Sequence, residues 1–135
     1  MESMTKKERV EKYGEVFTPD WLVDQMLDEL EAENPDAFAP ATTYLEPTCG
    51  DGAFLCGILR RKLARCNTRE DFRTAIRSVW AMEIQADNVE AAIRNVTDLC
   101  ASAFKLTKED REIIRDHVIQ ADALKVMRML HEMKP

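Results

Sequence analysis

No stretch of this 135-residue sequence approaches the roughly 18 apolar residues that a membrane-spanning helix needs. The segment from Met1 to Lys12 is charged and lacks the apolar core of a secretory signal, so the expected compartment is the cytoplasm. None of the four cysteines, Cys49, Cys56, Cys66 and Cys100, belongs to a CxxC pair. Neither His117 nor His131 stands at zinc-like spacing from one of them, so no metal or disulfide framework is expected. Cys56 and Cys100 fall inside helical patterns, where a small buried thiol is ordinary. The chain also lacks a basic excess. With 25 acidic and 19 basic residues its net charge is -6, which does not advertise a nucleic-acid surface. Repeats and low-complexity tracts are absent.

Two clusters run against the acidic average: Lys6, Lys7, Arg9 and Lys12, and then Arg60, Arg61, Lys62 and Arg65. A solvated tail and a solvated helix face account for them more readily than phosphate contact. Length and a 45% hydrophobic content allow one domain with a single core.

The order of elements carries more. Thr18-Pro19-Asp20 reads as a helix start, with Thr18 capping and Pro19 at the first helical position. Leu22, Val23, Met26, Leu27 and Leu30 then recur at helical spacing to about Glu33. Asn34-Pro35-Asp36 and Pro40 break that helix. A β-prone run, Thr42 to Leu45, stops at Glu46-Pro47, and a helix follows from about Ala53 to Arg65. Thr68 to Asp71 and Thr107 to Asp110 have the form of capping boxes opening short helices. Ser78 to Met82 and Val118 to Gln120 are further strand candidates; Gln85 to Cys100 and Ala123 to about Met133 are further helices. Alternation of this kind predicts an α/β fold with parallel strands in the order 3-2-1, the first half of a Rossmann-like sheet, preceded by an N-terminal helix. Residues 1–41 form the tail and helix and residues 42–135 the βα units of one partial domain.

Chemistry concentrates at Glu46-Pro47-Thr48-Cys49-Gly50-Asp51-Gly52-Ala53-Phe54-Leu55, between the first strand and the next helix. Gly50 and Gly52 permit a tight turn and close approach of a ligand to backbone. Leu55 stands where the third glycine of the dinucleotide fingerprint would be, which argues against NAD. A carboxylate at Glu46 would repel a pyrophosphate and attract a cationic amine. S-adenosylmethionine carries an amine and a sulfonium and no phosphate. Glu83 is placed to accept from a ribose diol, and Asp122 to meet an adenine amino group. Each residue alone has a plain reading: Asp122 and Thr18 as helix caps, Phe17 as core, Glu83 as a solvated strand end.

In combination these segments resemble the gamma-type adenine-N6 DNA methyltransferases, including those of restriction-modification systems. That family's loop, acid-Pro-x-x-Gly-x-Gly-x-Phe/Leu, is matched by Glu46, Pro47, Gly50, Gly52, Phe54 and Leu55. Its upstream Gly-x-x-x-Thr-Pro segment is matched by Gly14 to Pro19, its ribose-binding acid by Glu83 and its adenine-binding acid by Asp122. The resemblance therefore implies S-adenosylmethionine as cofactor, held by Phe17, Thr18, Pro19, Glu46, Pro47, Cys49, Gly50, Gly52, Phe54, Glu83, Ile84, Asp122 and Ala123.

The family's transfer step uses an Asn/Asp/Ser-Pro-Pro-Tyr/Phe loop after a fourth strand, and no two prolines are adjacent here. Asn34-Pro35-Asp36-Ala37 lacks the second proline and the aromatic, and it precedes the cofactor loop. The expectation is a cofactor-binding portion, inactive alone, with weak or no DNA binding of its own. Half of a split enzyme, or a non-catalytic module retaining the fold, are the other readings. An unpaired first-strand edge and uncovered apolar faces imply self-association or a second chain.

Overall fold

The computed structural model describes residues Thr5, Lys7, Glu8 and 18–133. Among these are a three-stranded parallel sheet and six helices. The elements are α1 (Asp20–Glu33), β1 (Tyr44–Glu46), α2 (Ala53–Leu63), α3 (Arg69–Arg77), β2 (Val79–Glu83), α4 (Ala86–Ala103), α5 (Lys108–Asp116), β3 (Val118–Gln120) and α6 (Ala123–Glu132). Strand order is β1-β2-β3, which is the expected 3-2-1 read from the opposite edge. Every helix and strand expected from periodicity within residues 18–133 is present. Boundaries shift slightly: β1 is shorter than the β-prone run, and α4 continues to Ala103.

Helix starts show which local signals operate. Thr107 caps α5 in a complete capping box with Asp110. Thr68 caps α3 by accepting from the Asp71 N–H, but the Asp71 carboxylate reaches back to the Asn67 N–H instead of completing the box. At α1 the expectation needs correction. Pro19 is the N-cap, extended at φ -61° and ψ 146°, and Thr18 makes no side-chain cap. Proline has no N–H to lose, and its carbonyl accepts from Leu22 and Val23 instead.

Helices α2 to α5 pack on the sheet, and α1 lies against α2. The core runs through Leu59, Phe72, Ile76, Ala92 and Cys100 to the inward strand residues Val79, Ala81 and Val118. Gly57 sets the α1–α2 approach, since a Cβ there would stand 2.8 Å from Leu27 Cδ1 and 3.0 Å from Val23 Cγ1.

Three of the four residues in the basic cluster at α2 are engaged within the fold, while Arg60 is exposed as a solvated helix face would be. Arg61 pairs with Asp28 at 2.7 Å and Arg65 with Glu31 at 2.7 Å, both on α1. Lys62 is fully buried, donating to the carbonyls of Ala39 at 2.7 Å, Pro40 at 3.1 Å and Thr42. Of the N-terminal cluster, Lys6, Arg9 and Lys12 lie outside the described residues.

Among the described residues the opposite sheet face is only partly covered, with Met82 buried at 6% exposure. Register pairs Leu45 with Trp80 and Met82 with Ile119, placing these residues in one apolar row. Leu45 is 55% exposed, Trp80 40% and Ile119 43%. Parallel sheets ordinarily have both faces covered. Among the described residues the His117 ring stacks on Trp80, at 3.6 Å between centroids. Helix α6 has no substantial packing partner among the described elements, and Leu124, Leu130 and Met133 are exposed on it. No helix among the described residues is long and apolar enough to cross a membrane.

Candidate functional site

The strand ends form a staircase. Glu46 is level with Ala81, so Glu83 projects two residues beyond β1; Glu83 is level with Gln120, so Asp122 projects two residues beyond β2. Parallel pairing brings three carboxylates to one end of the sheet, the end where open α/β sheets take ligands. The chain leaving β1 runs along β2, with the Cys49 N–H donating to the Met82 carbonyl at 3.0 Å.

The glycine turn then reverses into α2. Gly50 has φ 54° and Gly52 φ 93°, left-handed conformations that disfavour a side chain. Gly52 is also the N-cap of α2 and lies close to α4, where a Cβ would meet Ala92 Cβ at 3.3 Å. Asn95 of α4 donates to the Asp51 carbonyl at 3.0 Å. Both bonds to the turn from α4 and β2 come from residues distant in sequence.

Glu83 is 7% exposed and both of its oxygens are engaged. Oε2 accepts from the Gln85 N–H at 2.7 Å, and Oε1 accepts from the Gly50 N–H at 3.1 Å. The solvated strand end is thus excluded: Glu83 holds the turn. Glu46 is half-buried, and burial raises its pKa while the Thr48 N–H lowers it. Between these acids, burial first and the charges of Glu83 and Glu46 next push the Cys49 thiol up to about 12. Cys49 is therefore a neutral, unreactive thiol at ordinary pH. Electronegative surroundings of this kind suit a cationic group and oppose a phosphate.

Asp122 is the N-cap of α6, its Oδ1 accepting from the N–H groups of Leu124 and Lys125 at 3.0 and 3.3 Å. Both bonds use one oxygen, so capping does not occupy Oδ2. Ile84, exposed, stands between Glu83 and Gln85; Ala123 is buried beneath the start of α6. Pro47 is half-buried in the turn. Phe54 and Leu55 belong to the packing: Leu55 is in the core and Phe54 lies against it. Thr18 and Pro19 sit at the start of α1, and Phe17 and Gly14 lie outside the described residues.

Sequence reading missed two residues. Asn95 anchors the turn, and nothing in its helical context signals this. Gln85 Nε2, two residues beyond Glu83, is buried without a hydrogen-bond partner among the described residues. An orphaned buried donor is uncommon and marks a place where an acceptor would be stabilised. A cleft of about 510 Å³ opens beside the turn, between α1, α2 and α4, with Asp20, Asp24, Asp51 and Arg60 in its walls. None of the three strand-end carboxylates lines it, although Asp51 and Gly52 of the turn do. No group of three or more acidic, histidine or cysteine side chains among the described residues could hold a metal ion.

No family model, curated protein or solved structure matches this chain.

Proposed function

We propose that this chain is the S-adenosylmethionine-binding portion of an adenine-N6 DNA methyltransferase, built on the first half of a Rossmann-like fold. The observation that carries the reading is the staircase of Glu46, Glu83 and Asp122 around a left-handed glycine turn at the carboxyl end of parallel strands. Glu46 would attract the cofactor's ammonium, Glu83 would accept from the ribose diol, and Asp122 Oδ2 would accept from the adenine amino group. Ile84 would cover a face of the base. The residues fit the ligand's charge, because the site offers acceptors for a cation and an orphaned donor at Gln85 Nε2 for a ring nitrogen. When bound, the cofactor supplies a methyl group on a sulfonium; the chain's own residues bind and orient it. Transfer to adenine is not assigned to these residues, since no Pro-Pro-aromatic loop is among them.

Calorimetric titration with S-adenosylmethionine tests this. Binding is expected, with Glu46→Gln weakening it by about tenfold, the usual scale of one lost charge-assisted bond. No heat at millimolar cofactor would sink the reading. The exposed row of Leu45, Trp80 and Ile119 favours the version in which a second chain, or a second copy, covers the sheet and brings the remaining functions, including DNA contact.

A further inference from the structure

Glu83 cannot serve a ligand in the arrangement it now holds. At 7% exposure its carboxylate is closed off, and the group that occupies Oε1 is the Gly50 N–H of the glycine turn. The two bonds differ in length. Gln85 N–H to Oε2, at 2.7 Å, is as short as a charge-assisted bond becomes, whereas Gly50 N–H to Oε1, at 3.1 Å, is long for one. The first fixes the carboxylate to the start of α4; the second is the one that can be given up. A vicinal diol brings two hydroxyl donors, each able to make a charge-assisted bond of about 2.6 Å to a carboxylate, and so can compete with the single long Gly50 N–H bond. Gly50 has the backbone freedom to move, being a glycine in the left-handed region.

We propose that Glu83 is an exchangeable clamp: in the free protein it holds the glycine turn through the Gly50 N–H, and a ligand's vicinal diol takes Oε1 in its place, freeing that N–H. This rests on the cofactor reading for the identity of the diol, but the clamp itself does not. Ligand entry and movement of the turn are then one event, with the Gln85 N–H as the fixed pivot. Glu83 acts on the turn as a positioning residue until the diol arrives.

Glycine-selective ¹⁵N labelling gives a direct readout, because the sequence has four glycines, at positions 14, 50, 52 and 57. In the free full chain the Gly50 amide is expected to be protected from hydrogen exchange. Glu83→Gln should reduce that protection about tenfold while leaving Gly57, in the middle of α2, unchanged. Equal loss at both positions, or no loss at Gly50, overturns the clamp. Adenosine should shift the Gly50 resonance and speed its exchange, and 2′,3′-dideoxyadenosine, which lacks the diol, should not. Adenosine bound with Gly50 unaltered overturns the exchange. Absence of any perturbation by millimolar adenosine overturns the exchange together with the cofactor reading, and the Glu83→Gln comparison still decides the clamp.

Discussion

The Asp110 carboxylate joins α3 to α5. With no solvent exposure it accepts from the Thr107 N–H at 2.8 Å, from Arg73 Nε at 2.6 Å and from Arg69. Burial alone would raise its pKa, but these bonds outweigh burial and hold it at about 2 against an ordinary 3.8. A carboxyl depressed in the folded state binds fewer protons there than in the unfolded chain. Its contribution is therefore complete above about pH 4 and is lost as pH falls toward 2. The urea midpoint is expected to drop across that window in the native chain and to change much less in Asp110→Asn. At neutral pH the same substitution should cost about 2 kcal/mol, because two arginines lose a buried partner. Lys62 is the converse case. Burial pushes its ammonium down to about 8, and three carbonyls depend on it as donor. Lys62→Met should lower stability by about 2 kcal/mol in denaturant titration, since unpaired carbonyls outweigh the relief of burying no charge. Neither role is visible in the sequence, where Lys62 is one of four neighbouring cations and Asp110 one member of a local cap. Apart from Thr107, their partners lie 20 to 41 residues away.

Among the elements, the helices were the most legible, because their signals are local. Apolar spacing and the Thr68 and Thr107 caps place α2 to α5 within a few residues. The start of α1 misled for a local reason too: Pro19 suits the N-cap as well as the first helical position. The glycine turn was legible as a turn, and its two positive φ values follow from Gly50 and Gly52. Gly52→Ala is expected to cost about 1–2 kcal/mol, from the left-handed backbone and the crowding at Ala92 together. Gly57→Ala should cost less, because a helical alanine regains about 1 kcal/mol against the crowding at Leu27 Cδ1 and Val23 Cγ1. Chemical denaturation of the two variants side by side checks the order. Glu83 and Asp122 were legible as acids at strand ends. That one clamps the turn and the other caps α6 depends on register, which no single segment encodes.

At the scale of the whole molecule, the exposed residues of this sheet face set an expectation about self-association. Leu45, Trp80 and Ile119 form a row without a charged group, and α6 adds exposed Leu124 and Leu130. Light scattering is expected to give a mass above that of one chain, and Trp80→Lys to shift it toward one. A monodisperse single chain at high concentration would count against a covered face. The order of helices and strands, the position of the turn and the residue types at the strand ends were determined by the sequence alone, because periodicity, caps and glycines act over a few residues. Tertiary structure alone decided that Arg61 and Arg65 pair with α1, that Glu83 reaches Gly50 across 33 residues, and that Leu45, Trp80 and Ile119 keep substantial exposure. Those outcomes depend on which distant surfaces meet, and the free energy of meeting is shared among residues that carry no mark of it in the chain.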